Sequence, residues 1–345
     1  MTKKLTGCLF VWFFFGFIVN LKAQEDKTAI QRLLYFYRLK DLLSDKVWPN
    51  FGSPKYDVDL AYYTRDNTYL IEHSGIITQK KASVDIYKKR GLKIKKVARL
   101  DTIGFHMSTA YESQDSNSLW YHNPVMLCSD YETTQKYIQD VGNLQTWATM
   151  VMHEYFHGFQ FLHPAFISFA NDSSVISNSK LQSYYDRYPW YRESIDKENQ
   201  LLLDCMQTDD LASIKTLFKK YTTQRDGRVK RFSEIEKFDL SVQEEFLEKM
   251  EGSARYMEYQ LYLLFKDLPL DKSLSLNDKA YEPGAFKAFT IKDKPWMYES
   301  SSIRYFYSTG FNLLRLLDHL HVDYKKNLFD TSITPYRLLS KYLDK

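Results

Sequence analysis

The stretch that decides the fold and the chemistry of this chain is Trp147–Phe161, which reads WATMVMHEYFHGFQF. Residues four positions apart lie on one face of a helix, so the imidazoles of His153 and His157 can point at one metal ion. Glu154 lies about 100° round the helix from His153, where its carboxylate can reach a metal-bound water without being a ligand. This spacing predicts a zinc site suited to metal-assisted amide hydrolysis.

The residues around this motif predict a buried helix over 144–161, with Asn143 as its N-cap. Trp147 and Val151 make the turns before the histidines apolar. Burying two histidines and a glutamate without a metal would leave polar groups unsatisfied, which costs several kcal/mol. The alternative is a pair of histidines that faces solvent or forms mutual hydrogen bonds.

A second predicted helix, over 240–266, offers a third ligand. It contains Glu251 in the run Glu-Gly-Ser-Ala-Arg-Tyr, among apolar residues that direct this carboxylate inward. A glycine inside a helix costs about 1 kcal/mol relative to alanine, so Gly252 indicates a close helix–helix approach. The alternative is a surface Glu251 paired with Arg255 at i+4. Glu258 either supports a histidine ligand or, as the sequence favours, lies at the surface.

The first residues predict export. Lys3 and Lys4 precede an apolar run over 9–19, and Ala23 offers a cleavage point, which is typical of a secretory signal peptide over 1–23. No second apolar run is long enough to span a bilayer, so the mature chain is predicted to be periplasmic or secreted, with no membrane span. With 47 basic and 43 acidic residues, the formal charge of +4 is too balanced for a nucleic-acid binder. Whether Cys128 and Cys205 pair is left open.

The pattern along the chain predicts an α+β fold. Short alternating segments at 68–71, 84–87, 105–108 and 119–127 predict a sheet in the first half. The second half is predicted to be mostly helical, with a Ser- and Asn-rich loop at 166–180, two helices over 191–221 and a charged turn at 222–231. The predicted division is a signal peptide (1–23), an α+β part (24–142) and a helical zinc-binding part (143–345) of one catalytic domain.

The HExxH helix, following a strand-rich region and an export signal, resembles the zincin metallopeptidases. The run at Glu251 resembles the third-ligand helix of some gluzincins, a branch of that superfamily. The resemblance covers these two helices. It implies a zincin-like fold, zinc on His153, His157 and Glu251, and Glu154 as general base. It also implies a tyrosine or histidine that stabilises the oxyanion, for which Tyr256 and Tyr307 are the candidates.

Two other interpretations stay open. His163 follows His153 by ten residues, the spacing of the third histidine in metzincins, although Gln160 stands where those proteins need glycine for a left-handed turn. A non-catalytic exported binding protein with a zincin-derived fold is the other. The leading prediction is an exported zinc metallopeptidase that hydrolyses a peptide or protein substrate. The substrate, the choice between endo- and exopeptidase action and the oligomeric state are not predicted.

Overall fold

Six strands form one mixed sheet in the computed structural model, which describes residues 6–44, 46–75, 82–89, 91–110, 124–173, 176–300, 302 and 304–344, with residues 6–23 given by their backbone alone. The strands are β1 (Asp59–Tyr63), β2 (Asn67–Ile71), β3 (Val84–Lys89), β4 (Leu92–Ala98), β5 (Met107–Ala110) and β6 (Val125–Ser129). Their order in the sheet is β3-β4-β2-β1-β6-β5. Strands β1 and β6 pair in parallel, and the other neighbours are antiparallel.

Helices make up most of the rest, which confirms the α+β class. They are α1 (Thr6–Leu43), α2 (Tyr131–Tyr137), α3 (Leu144–Gln160), α4 (Pro164–Asp172), α5 (Asn178–Arg187), α6 (Pro189–Cys205), α7 (Leu211–Glu236), α8 (Ser241–Asp267), α9 (Lys272–Asn277), α10 (Tyr305–His319) and α11 (Pro335–Leu343). Single 3₁₀ turns lie at Pro54–Tyr56, Ile291–Asp293 and Pro295–Met297.

Two loop predictions were wrong. The predicted loop over 166–180 contains most of α4 and the start of α5. Pro164 starts α4 at a position where its missing N–H is tolerated, and the Ser177 side chain caps α5. The predicted charged turn over 222–231 lies inside the continuous helix α7. Two of its charged side chains, Arg225 and Arg228, are buried, so this segment is not a solvated turn. The predicted strand at 119–127 has its first part, 119–123, outside the described residues.

The chain forms two compact units. The first comprises Met1–Leu42, Val58–Val151 and Pro269–Ala285, and the second comprises Leu43–Asp57, Met152–Leu268 and Phe286–Lys345. In the first unit, the Trp147 indole donates to the Ser129 carbonyl at 3.0 Å and packs edge-on against Tyr62, which fixes the start of α3 against the sheet. The units interleave along the sequence, whereas the predicted division at residue 142 is continuous.

In the second unit, helices α8 and α10 cross at a pair of glycines. A Cβ at Gly252 would collide with the backbone of Gly310, and a Cβ at Gly310 would collide with the backbone of Glu248. The close helix–helix approach predicted from Gly252 is therefore present. This helix–helix contact fixes the position of the adjacent residue, Glu251, on α8.

The second unit also buries an ion-pair cluster where α6, α7, α8 and α10 meet. Arg228 binds Glu198 and Glu244 through four hydrogen bonds of 2.7–2.9 Å. Arg225 donates to Glu248 at 2.8 Å, and the Thr309 hydroxyl donates to the same carboxylate oxygen. Each carboxylate of this cluster faces hydrogen-bond donors.

Two further points concern location and redox state. Within the described residues, no helix combines the length and the apolar character that crossing a bilayer would require. The predicted signal peptide falls where no side chain is described and stays a prediction. Cys128 and Cys205 are both buried free thiols.

Candidate metal centre

Helix α3 presents His153 and His157 to Glu251 of helix α8. The Nε2 atoms of the two imidazoles are 3.0 Å apart. Glu251 Oε2 lies 3.2 Å from Nε2 of His153 and 3.1 Å from Nε2 of His157. All three residues are buried, with at most 8% of their surface exposed. Among the described residues, these three are the group whose donor atoms could hold a metal ion together.

The local structure explains why α3 holds this position. The Asn143 side chain accepts a hydrogen bond from the Thr146 amide at 2.8 Å, so the predicted N-cap is present. In the second unit, Trp48 and Phe51 pack edge-on against Phe156, on the same helix as the histidines. The helix is therefore fixed along its length, and the two histidines keep their i, i+4 relation.

The partners of the outer ring nitrogens fix the tautomers of both histidines. Nδ1 of His153 lies 2.5 Å from Glu258 Oε1, and a carboxylate only accepts, so Nδ1 carries the proton. The Gln160 amide nitrogen donates to the Met250 carbonyl and to the Ser253 hydroxyl, which leaves its oxygen to accept from His157 Nδ1 at 2.8 Å. In its neutral form, each imidazole therefore directs an Nε2 lone pair toward the centre.

In the neutral form of both imidazoles, three acceptors converge. Two lone pairs and one carboxylate oxygen at 3.0–3.2 Å repel one another unless a proton or a metal ion lies between them. Ligands bound to zinc at about 2.0–2.1 Å in a tetrahedron lie about 3.3 Å apart. The spacing and the donor types, two nitrogens and one oxygen, fit zinc with a fourth position left open.

The pKa shifts have the same origin. Burial alone would lower the pKa of His153, but the charges of Glu258 and Glu251 raise it to about 10. Burial alone would raise the pKa of Glu251, but the two histidines hold it well below its usual range. The centre therefore favours positive charge, which a proton or a metal ion can supply.

Glu154 and Tyr307 flank the centre. Burial raises the pKa of Glu154, and His157 and His153 offset part of that rise. The Tyr307 ring stacks on His153 with the ring centres 5.9 Å apart. Burial and then Glu251 raise the pKa of Tyr307 far above neutrality, so its hydroxyl stays protonated.

Two residues singled out from the sequence lie elsewhere. The Tyr256 hydroxyl donates to Asp318 at 2.5 Å and accepts from Lys325 at 2.7 Å, so of the two candidate tyrosines Tyr307 is the one that contacts the centre. His163 Nδ1 bonds the Phe159 carbonyl at 2.9 Å, and its ring stacks on Tyr56. His163 is thus occupied outside the ligand group.

Other residues of the site were missed or misjudged from the sequence. Glu258 is buried against His153, and the preference for a surface position was wrong. Its spacing of seven residues from Glu251 was the available signal, because it repeats a helix face. Gln160 was noted as a missing glycine, whereas it orients His157. Arg255 donates to the Ser308 hydroxyl at 3.0 Å and forms no ion pair with Glu251.

A scan of the chain against protein-family models, a search of curated proteins and a search of solved structures each returned no match.

Proposed function

We propose that this protein is an exported zinc metallopeptidase, with zinc on His153, His157 and Glu251 and with Glu154 as the general base. One observation carries the proposal: two imidazole Nε2 atoms and a Glu251 oxygen, all buried, meet at 3.0–3.2 Å, while the outer nitrogens of both imidazoles are bonded to Glu258 and Gln160. Structural zinc sites usually have four protein ligands, whereas catalytic sites keep one position open. A three-residue ligand group favours the catalytic type.

The chemistry divides among a few groups. Zinc, when bound, polarises a substrate carbonyl and lowers the pKa of a coordinated water toward about 7. The Glu154 carboxylate, with its raised pKa, is suited to accept a proton at an Oε atom and to pass it to the leaving amine. The protonated Tyr307 hydroxyl is suited to donate a hydrogen bond to the carbonyl oxygen as negative charge develops there.

Support for the gluzincin-type assignment comes from the third ligand. Glu251 comes from a separate helix downstream of the histidines, which is the arrangement that the resemblance implies. Its separation from His157, 94 residues, is a departure, because it is far longer than in thermolysin-like or aminopeptidase-like gluzincins. The metzincin alternative needs His163 as the ligand, and the hydrogen bond and stacking of His163 give it no support. A zincin-like fold is part of this proposal, as is export through the predicted signal peptide.

The decisive test is Glu154→Gln in the purified chain without its first 23 residues. Bound zinc, measured by elemental analysis, should remain at one per chain. Cleavage of a degenerate peptide mixture, followed by mass spectrometry, should slow roughly 10²–10⁴-fold. Glu193→Gln makes the same chemical change at an exposed position and should alter neither quantity. Unchanged turnover in Glu154→Gln would remove the peptidase assignment and favour the non-catalytic binding protein.

The ligand assignment has its own test. Glu251→Ala should remove tight zinc binding, measured by competition with a chromogenic chelator, because two imidazoles alone hold zinc weakly. His163→Ala should leave the affinity unchanged. The opposite pair of results selects the metzincin interpretation.

A further inference from the structure

The Tyr307 ring contacts both the guanidinium of Arg255 and the His153 ring of the candidate metal centre. Its central carbon is 4.7 Å from the centre of the Tyr307 ring, and Tyr307 stacks on His153 at 5.9 Å. Because both distances end at the Tyr307 ring, this carbon lies within about 11 Å of the His153 ring, roughly the length of three extended residues. The same guanidinium packs on the Trp296 ring at 5.1 Å.

The hydrogen bonds of Arg255 leave one edge of the guanidinium uncommitted. Nη1 donates to the carbonyls of Trp296 and Met297 at 3.1 and 3.4 Å and to the Ser308 hydroxyl at 3.0 Å. Nε is buried without a partner. Nη2 has no partner among the described residues and keeps contact with solvent. Because Nε is buried, Nη2 is the nitrogen of this edge that an external carboxylate can reach, through a charge-assisted hydrogen bond.

Arg255 also forms no ion pair. Among the described residues, no carboxylate lies within ion-pair distance of it, and Glu251 and Glu258 bind the histidines instead. Burial lowers the pKa of Arg255, Glu258 and Glu251 offset part of this from a longer distance, and the exposed Arg304 lowers it further. An arginine stays charged at neutral pH even so. A partly buried cation without a carboxylate favours an external anion.

We infer that Arg255 binds a carboxylate of the substrate, so that the enzyme acts on peptides with a negative charge within about three residues of the cleaved bond. This inference rests on the proposed function and narrows its substrate class. A C-terminal carboxylate and an Asp or Glu side chain present the same group to Nη2. A purely structural Arg255, held between two aromatic rings, would give no such selectivity.

The test separates binding from cleavage. Zinc-loaded Glu154→Gln protein, which should bind without cleaving, is titrated by calorimetry at fixed ionic strength with four N-acetylated alanine-based tetrapeptides. These carry a free C-terminal carboxylate, a C-terminal amide, an amide with one internal Glu, or an amide with one internal Gln. At least one carboxylate form should bind roughly 10–100-fold more tightly than its amide counterpart. The pair that shows the preference identifies the source of the carboxylate.

Three variants in the same background assign the preference. Arg255→Gln should abolish it, and Arg255→Lys should restore only part of it, because lysine keeps the charge but lacks the planar guanidinium that places Nη2. Arg304→Gln removes a nearby exposed charge and should keep most of the preference. The ratio of affinities is compared within each variant, so a partly unfolded preparation does not imitate the result.

The outcomes are distinguishable. Equal affinities for all four peptides in the parent, a preference that survives Arg255→Gln, or an equal loss in Arg304→Gln would each overturn the inference. The same peptides are then given to the protein with Glu154 intact. Cleavage irrespective of charge would overturn the inference and keep the proposed function. No cleavage, with a binding preference that depends on Arg255, would overturn the peptidase assignment and keep carboxylate recognition.

Discussion

Helix α8 contributes to two buried polar clusters, which differ in whether hydrogen-bond donors and acceptors are matched. In the ion-pair cluster, Glu244 and Glu248 face the guanidiniums of Arg225 and Arg228, so donors meet acceptors. At the candidate metal centre, less than two turns after Glu244, Glu251 faces the Nε2 atoms of two imidazoles, which in their neutral form are acceptors too. Buried glutamates alone therefore do not mark a ligand site. The match or mismatch of donors and acceptors around them does.

The largest effect is expected from breaking the balanced cluster. Arg228→Met leaves Glu198 and Glu244 buried without their main partner, which should lower the free energy of unfolding by about 3–5 kcal/mol. Chemical denaturation followed by circular dichroism measures this loss. Arg231→Met, one turn further on the same helix and exposed, should change stability by less than about 1 kcal/mol. Similar values for the two variants would show that the cluster contributes no specific stability.

A pH series with a matched variant should measure what the Glu244 carboxylate contributes to the ion-pair cluster. Burial alone would raise the pKa of Glu244, but Arg228 lowers it to about 2. A depressed carboxyl pKa stabilises the fold above the unfolded value near 4.5, and this stabilisation is lost as the pH falls toward about 2. The loss should reach about 3 kcal/mol. Glu244→Gln should flatten the unfolding free energy across this window, and an unchanged slope would contradict the assignment.

At the unbalanced cluster, Glu258→Gln should weaken zinc binding without abolishing it. The glutamine oxygen can still accept from His153 Nδ1, so the ring orientation survives while the negative charge is lost. Loss of such a supporting carboxylate typically costs 10–100-fold in metal affinity, roughly 1.4–2.7 kcal/mol. Chelator competition measures it, with Glu193→Gln as the matched control. A zinc affinity equal to that of the control would show that Glu258 does not support the ligand.

The smallest effect is expected from the glycine pair that positions Glu251. Gly252→Ala forces a methyl group against the backbone of Gly310, at a cost of 1–3 kcal/mol that the better helix propensity of alanine partly offsets. The net loss should be about 1–2 kcal/mol in thermal unfolding. Gly227→Ala on α7 is the matched control, because its Cβ would meet nothing within 4 Å and should stabilise the helix. An equal change in stability in the two variants would show that the contact with Gly310 does not require glycine at position 252.

The sequence predicts those parts of the molecule that depend on local patterns. Helices α3 and α8, the sheet in the first half, the N-cap at Asn143 and the close approach at Gly252 all follow from spacing and residue type. What it misses depends on tertiary partners. Arg225 and Arg228 read as a charged turn because their glutamates lie on other helices. Gln160 and Glu258 gain their roles only when α3 meets α8.

His157 and Glu251 are 94 positions apart in the sequence, so metal binding at the proposed centre would also report on folding. Two ligands come from one helical turn, so any α-helical fragment containing them could chelate weakly, whereas the third arrives only after distant parts of the chain have docked. Replacing zinc with cobalt would turn this into a visible signal, since the absorption of cobalt changes with its coordination number. Stopped-flow refolding in the presence of cobalt would then time the meeting of α3 and α8 separately from the formation of either helix.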